Sequence, residues 1–327
     1  MGKISTRTIA LATLASFIPA IAAAMPRVPA PKSIYGEDNR QDYFAASPAE
    51  KRLAGSVASL WKSYYLEPEG GGFRLLTSSL GERLNLCPGE KFSEQPIGAD
   101  CSGSLVGKDI LMTAGHCIRT EQDCADTKIV FGFAITRSGG NAPEVIPGKD
   151  VYGCKEIISR TLQGGGPDYA LIRLDRASDR APLKINREDS IKPGDGVFVI
   201  GHPIGLPLKV SGGSHVRDAS NSGFFVADLD TFGGNSGSPV FNSATNAIEG
   251  ILVRGAADFA DTPEQCTTMA TYTQNGGRGE DVTKLSVLES FIPGGDASSD
   301  RPIFRGIDAN YMNETGAEPG IGDIHFQ

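Results

Sequence analysis

Along this chain the hydrophobic positions fall mostly into short runs, many of them alternating with polar residues at the period of a β-strand and broken by glycine-rich or polar turns. Phe224 to Asp230 alternates, with Phe225, Ala227 and Leu229 on one face and Asp228 and Asp230 on the other. After Gly233-Gly234-Asn235-Ser236-Gly237-Ser238-Pro239 come Val240-Phe241, a polar turn from Asn242 to Asn246, and the run Ala247 to Val253. That pattern predicts a hairpin. Further strands are predicted at 102–106, 110–113, 128–133, 151–159, 169–174, 197–200 and 208–210. The charged, proline-containing stretch from Asp175 to Pro193 reads as a linker between two all-β halves. Two helices are expected as well. Ser47-Pro48-Ala49-Glu50 is a capping box with proline in the first helical position, predicting a helix from Pro48 to about Leu60. Val282, Leu285, Leu288 and Ile292 at helical spacing, with Pro293 as a stop, predict a C-terminal helix from Asp281 to Ile292.

The start of the chain has a different character. Lys3 and Arg7 precede an apolar run from Ile9 to Ala24 that ends in small residues, the form of a secretory leader (1–24) cut near Ala24. A membrane anchor is the weaker reading, because Pro19 interrupts a run already short of the ~20 apolar residues a span needs. Residues 25–33 are proline-rich and read as a short pro-segment, and 294–327 hold few apolar residues and form a tail. No internal repeat is visible. At 327 residues and 39% hydrophobic content the chain can bury one large or two medium cores. Losing Lys3 and Arg7 with the leader moves the formal charge from −8 to −10, which argues against nucleic acid as a partner. Six cysteines, at 87, 101, 117, 124, 154 and 266, in an exported chain are expected to form disulfides. Zinc is the competing use. No Cys-x-x-Cys occurs, and of His116, His202, His215 and His325 only His116 lies near a cysteine, so neither metal nor cofactor is expected.

The candidate chemistry centres on Ser236. A serine hydroxyl needs a base to take its proton and donors to stabilise the oxyanion it creates. Gly234 lets the backbone turn so that its own N–H and that of Ser236 aim at one point, the arrangement of an oxyanion hole. His116 is the best-placed base, since it follows a strand end and sits beside Cys117. Asp168, opening the apolar run Tyr169-Ala170-Leu171-Ile172, fits as the carboxylate that orients it. His202, in Gly201-His202-Pro203, reads as a turn residue.

Four stretches, Cys101-Ser102-Gly103-Ser104-Leu105, Thr113-Ala114-Gly115-His116-Cys117, Asp168-Tyr169-Ala170-Leu171 and Gly234-Asn235-Ser236-Gly237-Ser238-Pro239, resemble the trypsin/chymotrypsin-like serine peptidase family in content and order. The wording around Asn235 is similar to the bacterial glutamyl-endopeptidase branch. The resemblance covers roughly Ile34 to Ile292. It implies an all-β domain (34–293) of two six-stranded antiparallel chymotrypsin-like barrels, about 50–180 and 190–280, with His116, Asp168 and Ser236 as triad and Gly234 and Ser236 as oxyanion donors. A secreted serine endopeptidase follows, working as a monomer on protein or peptide substrates outside the cytoplasm, extracellular or periplasmic, with no membrane partner once the leader is gone. An inactive homologue that binds proteins through the same cleft is the alternative. The histidine-loop bridge of the family implies Cys101–Cys117. The remaining four cysteines allow three pairings, of which Cys124–Cys154 with Cys87–Cys266 is favoured. Asn235 replaces the aspartate of the digestive members, so a new amino terminus cannot form their activating ion pair, and Phe232 replaces a family cysteine. Even so, the proline-rich segment predicts a working enzyme that starts near Ile34. For the residue before the cut bond, Asp230 stands where family members that cut after Lys or Arg carry aspartate. Arg254 beside Gly255 could instead pair with a substrate carboxylate. The motif wording favours an acidic preference.

Overall fold

The computed structural model describes Gly2 and residues 34–294, so the leader, the pro-segment and the tail beyond residue 294 lie outside the described residues. Ten predicted strands, joined by two in stretches expected to be helical, organise into two sets of six. The first set is β1 (Val57–Lys62), β2 (Cys101–Leu105), β3 (Ile110–Thr113), β4 (Thr127–Phe131), β5 (Val151–Leu162) and β6 (Asp168–Leu174). They close into an antiparallel barrel in the order β1-β2-β3-β6-β5-β4, with β4 paired back to β1. The second set is β7 (Gly196–Gly201), β8 (Lys209–Asp218), β9 (Phe224–Ala227), β10 (Pro239–Asn242), β11 (Ile248–Arg254) and β12 (Glu280–Lys284). Its order, β7-β8-β9-β12-β11-β10 with β10 paired back to β7, is the same. The chain thus builds one topology twice, although no sequence repeat announces it.

Alternation along each strand explains how both faces are buried. In β6, Ala170, Ile172 and Leu174 fill the first barrel, while Tyr169 and Leu171 point into a cluster shared with the second. In β7, Val197 and Val199 fill the second barrel, while Phe198 and Ile200 enter the same shared cluster. That shared core fixes the barrels against each other, and each buried aliphatic side chain contributes about 1.5–3 kcal/mol on transfer from water. Three disulfides, Cys87–Cys266, Cys101–Cys117 and Cys124–Cys154, tie the loops. The N-terminal residues also join the second barrel, with Arg40–Asp42 pairing on β8 and Ile34–Tyr35 lying parallel to Thr271–Tyr272.

Both helix expectations need correction. The capping box at Ser47 forms, with Glu50 N–H donating to Ser47 Oγ at 3.2 Å, but the helix α1 (Pro48–Ala54) stops at Gly55. The apolar run that follows, Val57 to Trp61, is claimed by strand pairing on both sides, with β2 and β4. At the other end the C-terminal helix Asp281–Ile292 does not form. Residues 280–284 are β12, hydrogen-bonded between β9 and β11, and only two single 3-10 turns follow, Leu285–Val287 and Glu289–Phe291. The spacing that suggests a helix is real, yet Val282 packs in the second barrel while Leu285, Leu288 and Ile292 pack between the barrels. Tertiary pairing overrides the local period.

Candidate active site

His116 sits in the turn after β3, and Asp168 is the first residue of β6, the strand that pairs with β3. The pairing brings the two together twice. His116 N–H donates to Asp168 Oδ1 at 3.1 Å, and His116 Nδ1 lies 2.6 Å from Asp168 Oδ2. A glycine precedes the histidine because the approach is tight: a Cβ on Gly115 would stand 2.2 Å from Thr161 O and 2.9 Å from Asp168 Oδ1. The Asp168 side chain is 2% exposed, whereas that of His116 is 27% exposed, so the imidazole keeps one edge open. The second barrel reaches across to Asp168, since Thr283 Oγ1 accepts from its N–H at 3.1 Å and donates to its C=O at 3.0 Å.

Ser236 is half-buried in the loop before β10. Its carbonyl accepts Ser102 N–H at 2.8 Å and lies 3.7 Å from Cys117 Sγ, which places the Ser236 loop against the residue beside His116. Following the backbone groups through this loop is informative, because buried peptide groups in native proteins are nearly all paired. Gly233 N–H donates to Asp258 Oδ2 at 2.6 Å, and Gly233 C=O accepts Ile204 N–H. Gly234 C=O accepts Ser102 Oγ at 2.8 Å. Asn235 N–H donates to Phe232 O at 3.0 Å and its C=O accepts Ser238 N–H at 2.8 Å. Gly237 N–H donates to Leu252 O at 2.8 Å. The N–H groups of Gly234 and Ser236 remain, and no acceptor meets either among the described residues. Since the peptide is trans and planar, holding the Gly233 carbonyl on Ile204 turns the Gly234 N–H to the opposite side. At φ +82° Gly234 occupies a backbone region that suits glycine.

The remaining candidates are placed otherwise. Asp230 is 1% exposed, and its carboxylate accepts Tyr35 N–H at 2.8 Å and Asn39 N–H at 2.9 Å, so it clasps the N-terminal segment. Burial pushes its pKa up to about 6. Arg254 does not face it. Arg254 Nε is 3.1 Å from Asp281 Oδ2, and its Nη2 donates to Gly166 O at 2.8 Å. Both side chains named for the substrate charge, Asp230 for a basic residue and Arg254 for an acidic one, thus already have partners within the fold. Gly255 borders a residue that sequence reasoning missed, because a Cβ there would stand 1.8 Å from Glu280 Oε2. Glu280 is 3% exposed and links the residue two before Gly233 to the segment after β11, accepting Thr231 Oγ1 at 3.1 Å and Ala256 N–H at 3.3 Å. Tyr35 O–H also donates to it, at 3.1 Å. Burial, reinforced by Asp258, pushes its pKa up to about 8. Nothing in the charged run Glu280-Asp281 distinguishes it from a solvated face. His202 lies in a turn, its Nδ1 2.9 Å from Leu206 O, and burial lowers its pKa to about 4. Cys101, His116 and Cys117 offer atoms within 4.8 Å of one another, but the two sulfurs are bonded to each other and hold no thiolate for a metal.

Several known proteins are similar to this chain. A trypsin-like protease of Streptomyces glaucescens is 25% identical over 224 residues, covering 58% of this chain and 76% of that protein. Exfoliative toxin A of Staphylococcus aureus is 27% identical over 197 residues, covering 56% and 68%. A solved Glu endopeptidase in complex with MPD aligns over 79% of this chain and 97% of its own, at 15% identity and a TM-score of 0.46. Residues 101–251, which include His116, Asp168 and Ser236, match the family model described as the trypsin-like peptidase domain.

Proposed function

We propose that the protein is a secreted serine endopeptidase that works through His116, Asp168 and Ser236. The observation that carries the reading is the doubly bonded His116–Asp168 pair beside a serine loop with two uncommitted N–H groups. In the forward step Ser236 Oγ attacks the scissile carbonyl carbon while His116 Nε2 takes the hydroxyl proton. Asp168 holds the Nδ1 proton and stabilises the imidazolium. The tetrahedral oxyanion accepts from Gly234 and Ser236 N–H, each such donor lowering the barrier by about 3–4 kcal/mol. Collapse passes the proton from His116 to the leaving amine and leaves an acyl-enzyme, which water then hydrolyses by the same steps.

Export fits three disulfides and a leader-like start, and no described helix is long and apolar enough to cross a membrane. A mature start near Ile34 fits the burial of Ile34 and the docking of Tyr35 and Asn39 on Asp230. Arg254 pairs with Asp281, so an acidic preference would need it to meet substrate from within that pair, and matched peptides with Glu, Arg or Phe before the bond decide the preference. The test of the reaction is labelling with an active-site serine phosphonate followed by peptide mass spectrometry. Modification at Ser236, and loss of peptide hydrolysis in a folded Ser236→Ala variant, is the expected result. Retention of more than ~5% of turnover by that variant overturns the assignment.

A further inference from the structure

Ser102 has no place in the reaction just described, yet each of its polar groups is committed in or around the nucleophile loop. It lies on β2 in the first barrel and is 0% exposed. Its N–H donates to Ser236 O at 2.8 Å. Its hydroxyl accepts His202 N–H at 2.9 Å and donates its one proton to Gly234 O at 2.8 Å. Its carbonyl accepts Thr113 Oγ1 at 2.7 Å, so the residue cannot turn. Gly234 and Ser236 are also the two residues of that loop whose N–H groups meet no acceptor among the described residues.

We propose that Ser102 is the positioning residue of the oxyanion site, holding the carbonyls of Gly234 and Ser236 so that their N–H groups stay aimed at the substrate. The inference rests on the serine-peptidase reading above. Gly234 has no side chain to restrain it, and its orientation depends on the carbonyl anchors on either side. Ile204 supplies the anchor for Gly233 from a left-handed backbone position, φ +48°, that a β-branched residue rarely takes. Ser102 supplies the anchor for Gly234 itself, and through His202 it is joined to the same loop. Its neighbour Cys101 is bonded to Cys117, next to His116. The dipeptide Cys101-Ser102 therefore registers the oxyanion donors of the second barrel against the base of the first. Because the Gly234 bond touches no substrate atom, losing it frees the Gly234–Asn235 peptide, loosens the backbone of Gly234 between its two carbonyl anchors, and harms the transition state rather than substrate binding.

In the test, Ser102→Ala and Ser102→Thr are compared with the wild type for kcat, KM, melting temperature and affinity for a peptidyl trifluoromethyl ketone, with phosphonate labelling of Ser236 as the common control. The alanine variant is expected to lose ~10- to 100-fold in kcat with KM within ~2-fold, and the ketone should weaken in parallel with kcat/KM. The threonine variant, which keeps the hydroxyl, should recover most of kcat. Should Ser102→Ala fail to fold, Ser102→Cys, of similar size with a weak donor, is read in the same way. If the wild type labels and the hydroxyl-free variant keeps its kcat, losing only melting temperature, the positioning role is wrong while the peptidase reading stands. If the wild type neither labels nor turns over, the underlying reading fails and takes this one with it.

Discussion

Asp168→Asn probes the reading at its most constrained point. The carboxylate accepts two bonds from one histidine, the backbone N–H at 3.1 Å on Oδ1 and Nδ1 at 2.6 Å on Oδ2. An asparagine offers one acceptor oxygen, and its other terminal atom is a donor. With the oxygen kept on the backbone N–H, the new NH2 group faces Nδ1 and forces the imidazole proton onto Nε2. That is the atom that must accept the proton of Ser236. The flipped amide would place donor against donor and leave a buried N–H unpaired, costing about 1–3 kcal/mol, and at 2% exposure of the side chain little water can relieve it. The first arrangement therefore wins, and the variant folds with the wrong tautomer. The corresponding change in a serine-peptidase triad lowers kcat by about 10⁴, which at 1.36 kcal/mol per decade is roughly 5.5 kcal/mol of barrier. Initial rates on a chromogenic peptide amide, normalised by titration of folded protein, give the number. A loss of less than ~10-fold with the melting temperature intact would refute the proposed role of Asp168.

The other expectations concern stability. Glu280 has its folded pKa raised from 4.5 to about 8, so its contribution to stability is fully present below ~4.5 and is lost as pH rises through about 8. In a Ser236→Ala background, which prevents self-digestion, Glu280→Gln should change melting temperature relative to its parent by an amount that becomes more favourable to the variant between pH 5 and pH 8.5. A pH-independent difference sinks the argument. Removing the Cys87–Cys266 bridge, which closes 179 residues, by the double change Cys87→Ser and Cys266→Ser should cost up to about 5 kcal/mol by loop entropy. Urea denaturation that shows a loss under ~1 kcal/mol would count against it.

How far the sequence could be read depended on how local the cause was. With Val57–Lys62 and Glu280–Lys284 read as helix, ten of the twelve barrel strands were visible because their apolar runs are short and bounded by turns. Their pairing into one repeated strand order was not, since the barrels share topology and no sequence repeat. His116, Asp168 and Ser236 were singled out from the residues around each, and the structure brings the first two within 2.6 Å. The helix expected at Asp281–Ile292 failed for a reason of the opposite kind. A strand and two 3-10 turns happen to space Val282, Leu285, Leu288 and Ile292 as a helix would, and only pairing with β9 and β11 decides between them.

Charge was the least legible property, and the reason is physical. A charged side chain near an active site acts on substrate only if the fold leaves it uncommitted, and commitment is a long-range fact. Asp230 is held by the backbone of Tyr35 and Asn39, 195 and 191 residues earlier in the chain. Arg254 is held by Asp281, which also takes Arg278 at 2.8 Å. Glu280, unremarkable as part of a charged run, is the carboxyl that the fold buries between Thr231 and Ala256, where neither Asp230 nor Arg254 reaches it by an ion pair or hydrogen bond. Ser102 follows the same logic, because its hydroxyl matters through Gly234, 132 residues later. Counting back from Ser236 finds the right neighbourhood. Only the partners show which groups in that neighbourhood remain free to meet a substrate.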